Sequence, residues 1–182
     1  MDIDKLRERK INSTQIFDGK VIKIYKDLVQ CPNGNNSYRE IVKHHGGVCI
    51  LAIDKDNNVF MEKQYRYAYD EVLYELPAGK LEENEVPLDA AYRDFEEETG
   101  YKAINLKSLG VMYPTCGYSN EIIYLFFTND FIKTSRHLDD DEEIEIIKMP
   151  LNEIIDYIND NTIKDAKTIC AVSKYLLLKN KK

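Results

Sequence analysis

The chain has 182 residues, with 25 Lys and Arg against 32 Asp and Glu, for a formal charge of −7. That length suits one ordinary domain carrying a small appendage. A hydrophobic share of 43 % beside 31 % charged residues excludes global disorder, and no apolar run approaches the ~18 residues of a membrane helix.

The N-terminal MDIDKLRERK is charged with no apolar stretch behind it, which predicts no secretory signal. Cys31, Cys49, Cys116 and Cys170 are scattered, without a CxxC pair, and read as thiols of a reducing, cytoplasmic compartment. Net acidity disfavours nucleic acid as a partner, and a membrane partner is not expected either.

In chain order, residues 20–30 are β-branched and partly alternating, residues 31–36 are turn chemistry, and residues 37–44 resume the alternation. This predicts a long hairpin. Val48–Ile53 reads as a buried strand, and Val59–Tyr65 and Val72–Leu76 as further strands. Pro87–Thr99 reads as a helix, with proline in its first turn, Gly100 after its end, and Leu88, Ala91 and Phe95 as its apolar stripe. Val86 falls at the N-cap, where valine caps poorly. Strands are predicted over Ile104–Met112, Ile122–Phe127 and Ile144–Met149, and amphipathic helices over Leu151–Ile158 and Ala166–Leu178. The order predicts an α/β (α+β) layered domain around a mixed sheet over residues 46–182, with an antiparallel β segment over residues 1–45.

Two segments own the negative charge. Gly79–Tyr101 carries a net −6 and Arg136–Glu145 a net −5, leaving the rest at about +4. An acidic run is commonly a solvated face, but the spacing here argues otherwise. Asp94, Glu97 and Glu98 stand at i, i+3 and i+4, so a helix puts three carboxylates on one face. Like charges so placed repel, and a hard divalent cation bound across them offsets this. Arg93 sits beside them and can pair with Glu85, tying the preceding loop to the helix, while Glu96 points away toward solvent.

Gly79, Glu85, Arg93, Glu97, Glu98 and Gly100 fall in register with the 23-position signature of the Nudix hydrolases, and the segment resembles it closely. Asp94 stands where that signature has glutamate, and Phe95 and Tyr101 where aliphatic residues are commoner. Further stretches resemble the ADP-ribose pyrophosphatase branch: Arg39-Glu40, residues 63–67, residues 75–80, residues 113–121 and residues 165–168. Cys116 replaces a proline usual in that branch.

The resemblance implies a Nudix-type α/β/α sandwich and hydrolysis of ADP-ribose to AMP and ribose 5-phosphate. It implies Mg²⁺, or Mn²⁺, held by the Ala78 carbonyl and by Asp94, Glu97 and Glu98. It implies substrate contacts from Arg39, Glu40, Arg66 and Glu121, with Gly79, Glu85, Arg93 and Gly100 shaping the motif. An aromatic ring would cover adenine, with Phe17 and Tyr25 among the candidates. A catalytic glutamate would come from residues 138–145, Glu142 first and Glu143 in reserve. It also implies a homodimer whose N-terminal strands exchange. Another nucleoside diphosphate derivative, such as a nucleotide sugar, and a non-catalytic nucleotide-sensing role stand as alternatives.

Three features read as structural rather than functional. His44 and His45 are adjacent on a strand and face opposite sides, so they do not share an ion. His137 reads as solvated, and Tyr65, Tyr67 and Tyr69 as packing residues.

Overall fold

A computed structural model describes residues 3–137 and 143–180. The chain divides into two units, residues 1–45 with 113–121, and residues 46–112 with 122–182.

The first unit is an antiparallel sheet of β1 (Arg9–Asp18), β2 (Lys23–Gln30) and β3 (Asn36–Lys43), in the order β1-β2-β3. The hairpin of β2 and β3 pairs from Lys23 with Lys43 to Gln30 with Asn36. Its turn holds Gly34 at φ +86°, a conformation glycine adopts without strain. Residues 113–121 join β3 by strand-like bonds: Val42 N–H donates to Tyr118 O at 2.8 Å, and Asn120 N–H to Val42 O at 3.1 Å. β1 lies within the segment expected as antiparallel β; every one of its residues is exposed, so no core-facing alternation marks it as a strand.

The second unit is built around β4 (Gly47–Ala52), buried along its whole length. It pairs in parallel with β9 (Ile123–Thr128), which pairs antiparallel with β8 (Lys107–Met112). A second sheet has the order β11-β5-β6, with β5 (Asn58–Arg66) flanked by β6 (Glu71–Glu75) and β11 (Ile144–Pro150). The short β7 (Tyr101–Ala103) and β10 (Phe131–Lys133) form a ribbon. The stretch expected as one strand over Ile104–Met112 begins only at Lys107. Ile104 is half exposed, and its N–H bonds Asp130 O rather than a ladder partner.

Alternation along β4 builds two cores. Val48, Ile50 and Ala52 meet Ala90, Ala91 and Phe95 of α1 (Pro87–Thr99). Cys49 and Leu51 face the opposite way, into a core with Ile154 of α2 (Leu151–Asn159) and Ala171 and Val172 of α3 (Ala166–Lys179). Helices therefore cover both faces, giving the layered α/β arrangement expected. Full burial of a side chain such as Phe95 contributes about 1.5–3 kcal/mol.

α1 starts after Val86, which makes no side-chain cap, so Pro87 begins the helix with a residue that lacks the N–H needing one. It ends at Gly100, at φ 70°, whose N–H bonds Glu96 O. The apolar stripe differs at one residue from expectation. Leu88, in the first turn, is 40 % exposed, and Ala90 takes its place in the core. Among the described residues, no helix is long and apolar enough to cross a membrane.

Candidate active site

The segment between β6 and α1 runs beside β4. Ile50 N–H donates to Pro77 O, Val48 N–H to Gly79 O, and Leu81 N–H to Gly46 O, at 2.8–3.1 Å. This antiparallel pattern turns alternate peptides away from the sheet. Ala78 is the residue so turned: its N–H reaches the Glu98 carboxylate at 3.1 Å, so its carbonyl lies on the edge facing the helix acids. The Asp94 carboxylate fills the space over Gly79, where a Cβ would lie 2.0 Å from the Asp94 Cγ. Only glycine permits that approach.

α1 thus brings Asp94 and Glu98 inward, at 7 % and 6 % exposure, while Glu97 stays at the rim with Glu96 also half-buried. Arg93 organises this face. Its Nε and Nη2 grip Glu85 at 3.0 and 2.9 Å, and its Nη1 bonds Asp94 at 2.5 Å and Glu97 at 3.2 Å. Glu85 also accepts the Glu82 N–H, which stiffens the loop. Burial pushes Asp94 up to about 7 against the pull of Arg93, and its Oδ2 is buried with no hydrogen-bond partner.

A second charged network centres on Glu75, and apart from Arg66 none of its members is marked by local spacing. Glu75, at the end of β6, is gripped by Arg66 through two bonds of 2.6 Å and is paired with Lys167. Lys167 also bonds Asp165 at 3.0 Å. Burial raises the Glu75 carboxyl, but the two cations outweigh it and hold it below the ordinary glutamate value. Asp165 caps α3 through the Thr168 N–H, and the Thr168 hydroxyl accepts the Leu76 N–H at 2.9 Å. Arg66, expected at substrate, is thus fixed in orientation by Glu75. Next to Glu75 on β5, Glu62 is 2 % exposed, and burial raises its carboxyl above the usual range. Glu75 and Lys167 lay inside stretches that resembled the branch; their pairing across 92 residues had no local signal. Glu62 stands in a strand that the sequence marks by its apolar residues.

Around the C-terminal end of α1, Arg136 donates to Glu98 O at 2.6 Å and to Ile144 O at 2.5 Å, and His137 N–H to Glu97 O at 3.0 Å. Glu142 lies outside the described residues, and Glu143 is at their border.

The remaining expected residues belong to the first unit. Arg39 pairs with Glu8 and lies 3.7 Å from the Cys31 sulfur. Glu40 is exposed and sits across from Lys26. Glu121 lies 3.4 Å from the His44 ring. Tyr65, Tyr67 and Tyr69 are exposed rather than packed, and the Tyr65 hydroxyl bonds Asp70 at 2.6 Å.

For a divalent cation the donor chemistry fits, since hard carboxylate oxygens and a carbonyl share one edge and Asp94 Oδ2 and Glu62 Oε1 are buried without partners. Among the described residues, no three acidic, His or Cys side chains are gathered closely enough to enclose an ion. Water and substrate oxygens must complete the shell, as Mg²⁺ ordinarily requires.

These features define a layered α/β domain whose loop and helix assemble an acidic site. The NUDIX domain model matches residues 43–172, and the chain belongs to the Nudix family. Members of that family generally depend on a divalent metal ion. The ADP-ribose pyrophosphatase of Bacillus subtilis (strain 168) is 40 % identical over 176 residues, spanning 96 % of this chain and 95 % of its own. The methanol dehydrogenase activator of Bacillus methanolicus is 40 % identical over 173 residues, spanning 94 % and 93 %. The GDP-mannose pyrophosphatase of Yersinia enterocolitica is 33 % identical over 163 residues, spanning 82 % and 84 %. A crystal structure of an ADP compounds hydrolase shares the fold, with a TM-score of 0.83 over 96 % of each chain at 18 % identity.

Proposed function

We propose that this protein hydrolyses the pyrophosphate bond of ADP-ribose, yielding AMP and ribose 5-phosphate, with Mg²⁺ as the working ion and Mn²⁺ as a substitute. The observation that carries the reading is the burial of Asp94 and Glu98 against the Ala78-Gly79 backbone, in a chain alignable almost end to end with an ADP-ribose pyrophosphatase.

Ala78 through its carbonyl, with Asp94, Glu97 and Glu98, would hold the ion. A bound divalent cation neutralises phosphate charge and eases deprotonation of a coordinated water. The chain's own groups do the rest. Arg93 fixes Glu85, Asp94 and Glu97 in one arrangement, so positioning is prepaid before substrate arrives. Arg66, oriented by Glu75, offers its remaining N–H groups to a phosphate or to the terminal ribose. Arg39, with Glu40 and Glu121, is assigned to substrate contacts, Arg39 to the phosphates or the terminal ribose. Glu142 is assigned as the proton acceptor, with Glu143 in reserve; either side of that segment, His137 N–H bonds Glu97 O of α1 and Ile144 O accepts from Arg136. A carboxylate in that role contributes about 10²–10⁴-fold.

The N-terminal unit is assigned to a homodimer by strand exchange; the wholly exposed β1, with Ile11, Ile16 and Phe17 at the surface, supports this. A cytoplasmic location is assigned from the four free thiols.

The test is AMP release from ADP-ribose with Mg²⁺, compared by kcat/KM against a panel of nucleoside diphosphate derivatives. The GDP-mannose pyrophosphatase relative favours a nucleotide sugar as the second reading, and a higher kcat/KM on such a compound would select it.

A further inference from the structure

β5 is apolar through Val59, Phe60 and Met61, and then buries a glutamate. In the β5–β6 ladder Glu62 stands directly across from Glu75, so two carboxylates are neighbours in the interior. Like charges facing each other across a strand pair destabilise it. Glu75 is neutralised by Arg66 and Lys167. The same two cations act on Glu62 through their charge, but their ion pairs are with Glu75: the Oε1 of Glu62 is buried without a partner, and its carboxyl group lies within hydrogen-bonding reach of that of Glu98. Glu98 uses Oε2 on the Ala78 N–H, on the edge where the Ala78 carbonyl also lies. Two carboxyl groups meeting in a water-poor interior require either a shared proton or a cation. An aliphatic side chain would fill the same place on the strand at far lower cost.

We propose that Glu62 is an additional carboxylate of the metal centre, sharing one divalent cation with Glu98. The inference rests on the metal-dependent reading above and extends it. The ion is then held between strand β5 and helix α1, not by the loop and helix residues alone. Two protein carboxylates with water and substrate oxygens are a sufficient shell for Mg²⁺. Glu62 also restrains Glu98 in the position that keeps the Ala78 peptide turned outward.

The test titrates the full-length wild type and Glu62→Gln with Mn²⁺ alone, by calorimetry and electron paramagnetic resonance, and melts each in EDTA. The expected result is at least ~10-fold weaker Mn²⁺ binding in the variant, the lower end for loss of a metal-supporting side chain, with metal-free melting unchanged or raised. Glutamine keeps the shape and donates a hydrogen bond to Glu98, so it imitates a protonated Glu62. Wild-type Mn²⁺ affinity in Glu62→Gln therefore overturns the inference, leaving a shared proton as the explanation while the metal-dependent reading stands. Glu62→Leu, of similar volume, carries the same expectation and keeps the test decisive where Glu62→Gln does not fold. A wild type that binds no Mn²⁺ overturns both the inference and the reading beneath it, an outcome distinct from the first.

Discussion

The carboxylate of Asp94 occupies the space that a side chain at Gly79 would need, so that a Cβ there would overlap the Asp94 Cγ. Gly79→Ala forces Asp94 to rotate off the loop and away from the Ala78-Gly79 edge. We expect kcat to fall by roughly 10²-fold, the scale of an ~1 Å misplacement at a reacting site. Circular dichroism should show the fold retained. Near-native turnover would mean that Asp94 does not need this position.

Glu98 and Glu97 differ in burial, and their variants should differ in kind. Glu98→Gln removes a buried charge aimed at the Ala78 edge and is expected to lower kcat by about 10³-fold, a loss of ~4 kcal/mol in the transition state. Glu97→Gln changes a rim residue and should cost less, about 10²-fold, with more of the loss recovered at high Mg²⁺. Steady-state kinetics across a Mg²⁺ series would separate them. Equal, Mg²⁺-insensitive losses would contradict the assignment of Glu97 to the ion.

Arg93 grips Glu85 with two parallel bonds, a geometry that lysine cannot copy. Arg93→Lys should lower stability by about 1–2 kcal/mol, discounted for partial exposure, and loosen the loop over residues 80–86. Chemical denaturation gives the stability, and hydrogen exchange the loop. A variant as stable as the wild type would leave the tie between loop and helix without energetic weight.

Glu75 is the anion on which Arg66 and Lys167 converge. Replacing it with glutamine leaves two cations facing a buried amide, and loss of one partner of a buried pair costs about 3–5 kcal/mol. Glu75→Gln should therefore melt well below the wild type even in EDTA, whereas the Glu98 variant should not. A small change in melting would show that solvent takes over both cations.

Metal removal offers a check that is independent of any substitution. EDTA should abolish turnover, and added Mg²⁺ at about 100 times its Kd should restore it and stabilise the fold by about 2.7 kcal/mol. A protein whose melting temperature ignores Mg²⁺ would contradict a cation held by Asp94 and Glu98.

What the linear chain determined is local. The i, i+3, i+4 spacing of Asp94, Glu97 and Glu98, Pro87 at the helix start and Gly100 past its end specify a helix with one acidic face, because those signals act within a few residues. The strands of the second unit were legible for the same reason, since β4 and β9 are short apolar runs bounded by turns. No side of β1 is buried, so no core-facing alternation marks it, and the spacing of Leu88 with Ala91 and Phe95 does not say which turns of the helix meet the core. Only the tertiary structure decided which acids go inward and what answers them. Glu75 meets Lys167, and Glu62 meets Glu98, because strand pairing and helix docking join residues far apart in sequence. Burial then raises Asp94 and Glu62 while paired cations lower Glu75, a sorting of like side chains that depends on solvent exclusion and neighbouring charge, which residue order alone does not encode.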